Sequence, residues 1–285
     1  MNCRASHLGT MREMKASLIF SCFLSFLAHS AVSADHDKTP KPLCWTDFET
    51  PDELGLYKQL VRNQFLEISD GQGVEDSVAL RATYCGYPRG SQRILTRFKL
   101  PRKLDEATLV FDVKFDKAFQ FLKGGKLHGL GPDKAITGGK KMQPDGWSAR
   151  AMWRPKGLGS YVYCQNKEGK HGQGPDDINE HEFKTGRYYS LSYHVRLNDP
   201  VDEANGFIRI YIDGKLVSED RDIMFRSIDN EQSKITTLMF STFHGGQDPS
   251  WAPKDENGDY TEVYSYFDNF AVYEGLHIRR TPGER

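Results

Sequence analysis

The chain has 285 residues and a formal net charge of −1, which removes any global electrostatic case for nucleic-acid binding; an anionic ligand has to be met by a local basic patch. Its length, with 38% hydrophobic residues, is enough to bury one large core, and all-β domains of this size are commonly single. A monomer with no bound cofactor is the expectation.

The N-terminus reads as an export signal. Arg12 and Lys15 precede an apolar run from Leu18 to Leu27, and Ala31-Val-Ser-Ala34 offers small residues for cleavage after Ala34. The run is too short for a spanning helix and nothing later resembles one, so a secreted or periplasmic protein with no membrane span is expected. The predicted layout is a signal at 1–34, a polar lead at 35–43, a main domain at 44–278 and a polar tail at 279–285. Beyond the leader three cysteines remain, Cys44, Cys85 and Cys164; export permits disulfides, and Cys44 with Cys85 is the expected pair.

A short helix is possible within 52–66, although its apolar spacing is irregular. Strands follow at 77–84, 92–100 and 107–115, where Leu109, Phe111, Val113 and Phe115 alternate onto one face. More are expected at 147–154, 161–165, 188–197, 207–212, 235–243 and 264–273. Asp213-Gly214 between Ile210-Tyr-Ile212 and Lys215-Leu-Val217 is a hairpin turn. Many short strands with little helix imply an all-β, antiparallel two-sheet jelly-roll sandwich. Long loops at 128–146, 165–184 and 244–262 are expected to border a site.

The strand Trp147-Ser-Ala-Arg-Ala-Met-Trp-Arg154 organises the candidate site. Alternation puts Ser148, Arg150, Met152 and Arg154 on one face, with Trp147, Ala149, Ala151 and Trp153 turned to the core. Upstream lies Lys123-Gly-Gly-Lys126. Downstream, the period of two in Tyr161-Val-Tyr163 aims both phenols the same way. Lysines, arginines and tyrosines could thus meet on one sheet surface.

In that order, Lys123-Gly-Gly-Lys-Leu-His-Gly-Leu130, the Trp147–Arg154 strand and Tyr161-Val-Tyr163 resemble the motifs of polysaccharide lyase family 14, the alginate and glucuronan lyases. Phe243-His-Gly-Gly246 with Trp251, Phe267-Asp-Asn-Phe270, and the hairpin through Asn198, Gly206 and Asp213-Gly214 are also similar. The likeness covers roughly residues 45–275, with one departure: His128 stands where the family usually has proline. The resemblance implies a jelly roll whose concave face holds an acidic polysaccharide, cleaved by β-elimination. It points to Lys126, Ser148, Arg150, Tyr161 and Tyr163 as the catalytic group. Lys123, His128, Arg154 and Trp251 are the further candidates for contacting the sugar chain.

The chemistry agrees on its own terms. Removing a proton α to a carboxylate builds charge that needs nearby cations, which suits Lys126 and Arg150, with Ser148 orienting the group. A base must take the C5 proton and an acid must protonate the leaving O4. A tyrosine beside two cations could have its pKa lowered enough to serve, so Tyr161 is expected to move the proton with Tyr163 in support. The reverse assignment, or Lys126 as base, stays open. The histidines lack zinc-ligand spacing, so no metal is expected; His128, His194 and His244 could face the cleft. A non-catalytic polysaccharide-binding module on the same fold is the alternative, and a glycosidase would need two opposed carboxylates that no strand pattern supplies.

Overall fold

The computed structural model describes residues 40–155, 157–174 and 180–284. The expected signal peptide and most of the polar lead lie outside them. In chain order the strands are β1 (Cys44–Thr46), β2 (Leu66–Ser69), β3 (Ala79–Tyr87), β4 (Gly90–Ser91), β5 (Ile94–Leu104), β6 (Glu106–Phe115), β7 (Gly125–Gly131), β8 (Ser148–Arg154), β9 (Gly157–Tyr163), β10 (Tyr188–Arg196), β11 (Gly206–Ile212), β12 (Lys215–Ile223), β13 (Ile235–His244) and β14 (Glu262–Glu274). Of the helix considered for 52–66, only α1 (Leu56–Leu60) forms.

Two antiparallel sheets result, the jelly-roll sandwich that the strand pattern implied. The larger runs β12-β11-β10-β6-β14-β3-β2, with β1 on β14 and β4 on β3; the smaller runs β5-β13-β7-β8-β9. Alternation explains the layering. On β8, Trp147 just before it, Ala149, Ala151 and Trp153 are fully buried in the inter-sheet core, while Arg150 and Met152 turn the other way. On β6, Leu109, Phe111, Val113 and Phe115 fill the core from the opposite sheet. Each such large apolar side chain contributes about 2 kcal/mol on burial. The β11–β12 hairpin turns through Asp213 and Gly214, both at positive φ (47° and 78°), as a two-residue turn matching strand twist requires.

Strand β7 runs into the segment expected as a loop from residue 128, and its glycines have low strand propensity. The structure shows why they belong in a strand. A Cβ at Gly129 would meet the Ala149 carbonyl at 2.0 Å, and one at Gly125 would meet the Trp153 ring at 2.1 Å. Only residues without a side chain fit between β8 and β13 there. The strand also carries a bulge: Lys126 pairs with Met152 but Gly129 pairs with Arg150, so two residues, Leu127 and His128, oppose the single Ala151. The extra residue reverses the in–out alternation and sends both Leu127 and His128 into the core.

The expected Cys44–Cys85 disulfide is absent, and Cys44, Cys85 and Cys164 are free thiols. Cys44 pairs with Val272 and Cys85 with Glu262, ten positions apart on β14, which is about 30 Å of strand. The segment expected as a polar tail packs back on the larger sheet. Arg279 there is 1% exposed and its Nη1 lies 3.3 Å from the buried Asp112 carboxylate.

Candidate active site

A cleft of about 320 Å³ crosses the outer, concave face of the five-stranded sheet. Its floor brings together Lys126 from β7, Arg150 from β8, and Tyr161 and Tyr163 from β9. The antiparallel register is the reason: Arg150 lies directly across from Tyr161, and Ser148 across from Tyr163. The bulge in β7 then keeps Lys126 on the same face although it sits one residue out of step with Gly129.

Lys126 is 7% exposed and Arg150 5%. The Lys126 Nζ sits 3.3 Å from the centroid of the Tyr161 ring and 2.7 Å from the Met152 Sδ. The Arg150 guanidinium lies 5.7 Å from the same ring centroid, and its Nη1 donates to the Ser241 hydroxyl at 3.5 Å. Its Nε has no hydrogen-bond partner among the described residues. No aspartate or glutamate is among the described residues lining the cleft. The cations are therefore buried without counter-charges, an arrangement that costs stability unless an anion arrives.

Burial, and then the guanidiniums of Arg150, Arg154 and Arg93, hold the Lys126 ammonium well below its ordinary range. The ring face and the thioether favour the charged form, and a desolvated cation–π contact contributes about 2 kcal/mol. Removing an ammonium from water costs several kcal/mol, so burial wins. Burial also lowers the Arg150 guanidinium from its ordinary value, yet arginine stays charged at any physiological pH. Tyr161 moves in the opposite direction to the expectation. Burial, reinforced by the adjacent Tyr163 hydroxyl, pushes its phenol up to about 12, and the pull of Arg150 does not offset this. Tyr161 is a phenol, not a phenolate, at neutral pH.

Two loops close over the tyrosine end. The Tyr161 hydroxyl accepts from the Gly172 N–H at 3.2 Å and the Tyr163 hydroxyl from the Gly139 N–H at 2.9 Å. These segments belong to the long loops expected to border a site. His171, beside Gly172, lines the cleft.

The remaining sequence candidates are placed elsewhere. Ser148 is fully buried and donates to the Ile136 carbonyl at 2.6 Å. It thus anchors the loop whose next residues, Thr137 and Gly138, line the cleft, and does not itself reach the surface. His128 is enclosed by Phe111, Phe240, Phe267 and Phe270, with its Nδ1 accepting from the Ser241 N–H at 3.1 Å. The β7 bulge put it there, so it is a core residue and not a sugar contact. Lys123 and Arg154 are exposed and do not line the cleft, although the Arg154 guanidinium is near enough to act on Lys126. Trp251 packs its ring on Gly245 and Gly246, which line the cleft, with Lys123 Nζ 5.9 Å from its centroid. His194 lies on the other sheet, 2.7 Å from Glu106. His244 is buried against Phe119, Tyr84 and Trp153.

Sequence reasoning missed Arg93 and Arg97, which line the far side of the cleft from β5 and the residues before it. The signal was present: Arg93, Leu95, Arg97 and Lys99 alternate onto one face of a predicted strand. Only the pairing of β5 with β13 shows which face that is.

No curated protein matches the chain. Among solved structures, the marine PL-14 alginate lyase from Aplysia kurodai superposes with a TM-score of 0.62 at 21% identity, covering 82% of this chain and 99% of that one. Alginate lyase vAL-1 from Chlorella virus gives 0.58 at 18%, covering 74% and 89%. The endo-β-1,4-glucuronan lyase from the fungus Trichoderma reesei gives 0.51 at 15%, covering 73% and 86%. At such identities the likeness establishes the fold. The family pattern described as Polysaccharide lyase 14 matches residues 81–270, a span from β3 to β14 that includes every cleft strand, and by that match the chain belongs to polysaccharide lyase family 14.

Proposed function

We propose that this lyase cleaves a polyuronate, alginate or glucuronan, by metal-independent β-elimination, leaving a C4–C5 unsaturated uronate at the new end. The observation that carries the reading is the convergence of Lys126, Arg150, Tyr161 and Tyr163 in a cleft with no lining carboxylate among the described residues. A glycosidase needs two carboxylates there, whereas an anionic substrate supplies the counter-charge the buried cations lack. That solved alginate and glucuronan lyases share the fold narrows the substrate class.

The roles follow from the electrostatics. Arg150 pairs with the substrate carboxylate and neutralises the charge that builds when C5 loses its proton, the task a divalent cation performs elsewhere. Lys126, whose ammonium form is disfavoured by burial and by neighbouring guanidiniums, accepts that proton as the general base. Tyr161, still protonated with a pKa near 12, donates to the departing O4. Tyr163, tied to Gly139, holds Tyr161 in place. Export as a secreted or periplasmic protein is supported by the leader-like N-terminal sequence.

The test offers the protein alginate, polyguluronate, polymannuronate and glucuronan, and follows the ultraviolet absorbance of the new C4–C5 double bond, with and without chelator. Turnover of at least one polymer, insensitive to chelator, is expected. Lys126→Ala is expected to keep the fold and lose about 10³-fold in kcat, the scale of a general base. Release of reducing sugar without the absorbance would replace elimination by hydrolysis.

A further inference from the structure

The proposed chemistry occupies only one end of the cleft. Arg97, Met239, Gly129, Arg150 and Tyr161 are register partners on five successive strands. They form one line across the concave face, from the β5 edge to the β9 edge. Three inter-strand steps separate Arg97 from Arg150, about 14 Å. This is longer than one pyranose, so a uronate reacting at Arg150 has a neighbour further along the chain near β5. Of the residues between Arg97 and Arg150, Met239 lines the cleft, while Gly129 carries no side chain because the β8 backbone fills that place.

The β5 end has its own chemistry. Leu95 is 53% exposed and lines the cleft, an apolar side chain on the open face of an edge strand, where charged residues are the usual choice. Arg97, two residues on and about 7 Å away along the same face, is also exposed. Its guanidinium is steadied by the Asp133 and Ala135 carbonyls at 3.3 and 3.4 Å. The nearby Asp133 carboxylate is engaged by Lys99 at 3.9 Å and by the Thr236 and Thr237 hydroxyls, so Arg97 keeps a charge to offer. A uronate pyranose presents an apolar C–H face and a carboxylate, and Leu95 with Arg97 meets both.

We propose that Leu95 and Arg97 form a distal uronate-binding subsite at the β5 edge, through which the enzyme favours long acidic chains over short ones. The proposal rests on the polyuronate reading of the cleft. A duller role exists for Arg97, which also tethers the loop that leads to Thr137 and Gly138; the experiment has to separate the two.

The measurement is the ratio of kcat/KM on the polymer to kcat/KM on the shortest uronate oligomer turned over, for wild type, Arg97→Gln and Leu95→Asp. Each variant is expected to lower that ratio about tenfold, the scale of one lost or opposed charge contact. The change should appear chiefly in KM for the polymer. Leu95→Asp places a negative charge in the subsite without touching the Arg97 tether, so it carries the test if Arg97→Gln disturbs the loop. An unchanged ratio in Leu95→Asp, with Arg97→Gln slowing both substrates alike, overturns the subsite and leaves Arg97 a loop anchor. If the wild type turns over no acidic polymer at all, the polyuronate reading itself falls, and the subsite with it.

Discussion

Two regions of this molecule bury cations, and they do so under opposite rules. On the outer face of the larger sheet, Arg279 is sealed against Asp112, the two side chains 1% and 0% exposed and 3.3 Å apart. The Asp112 carboxylate also takes the Asn269 amide and the Gly283 N–H. In the cleft of the smaller sheet, Arg150 and Lys126 are nearly as buried, yet their partners are a serine hydroxyl, a thioether and an aromatic ring. The first arrangement is closed, since every charge is answered within the chain, and it pins the C-terminal segment to the sheet. The second is left open to an anion from outside. A buried cation without a carboxylate thus differs in kind from one paired within the chain, and it is this difference that the proposed chemistry uses.

Removing the answer from the closed region is expected to give the largest effect on stability. Asp112→Ala leaves Arg279 buried and alone, and should cost about 4 kcal/mol of unfolding free energy by denaturant titration. Activity per folded molecule should be retained, since the site lies on the other sheet. A change below 1 kcal/mol would mean that the C-terminal segment simply detaches and that the pair is not what holds it.

Acid pH sharpens the contrast between buried groups of opposite sign. His244 is held neutral by burial, its pKa lowered from 6.5 to about 4. Its folded pKa lies below the unfolded one, so the native state binds fewer protons and stability is lost as pH falls from 6.5 towards 4. Asp268, on the larger sheet, has its pKa raised by burial from 3.8 to about 6, so the native state gains stability as pH falls from 6 towards 3.8. Each contribution is about 3 kcal/mol, and between pH 6 and 4 they nearly cancel. Asp268→Asn should therefore make unfolding acid-labile in that window, and His244→Gln should shift the acid midpoint downwards. Parallel acid profiles for wild type and both variants would sink the account.

The smallest effect tests the open region. Lys126→Met replaces an amine whose protonated form is penalised by burial, and should raise stability by about 1 kcal/mol near neutral pH while abolishing turnover. Because the folded pKa of Lys126 lies below the unfolded one, the penalty is greatest at low pH. The gain should fade as pH rises towards the ordinary lysine value of about 10.4. A variant less stable than wild type would show that the Tyr161 ring and Met152 sulfur hold the ammonium better than burial penalises it.

The sequence by itself determined the two-sheet architecture, because alternation along strands such as Leu109–Phe115 and Trp147–Arg154 is a local property with a fixed period. It also determined that Tyr161 and Tyr163 share a face, since they lie two apart within one strand; that Arg150 joins them came from the register of β8 with β9. Only the tertiary structure decided what depends on neighbours. One bulge in β7 sent His128 into a cage of phenylalanines while leaving Lys126 in the cleft, and a bulge cannot be counted from a single strand, since it is a mismatch between two. Burial raised the Tyr161 pKa where its neighbouring cations were expected to lower it, because the desolvation of a hydroxyl depends on the loops folded over it. The pairing of β5 with β13 brought Arg93 and Arg97 to the cleft from far upstream, for alternation gives two faces to every strand but does not say which one looks inward.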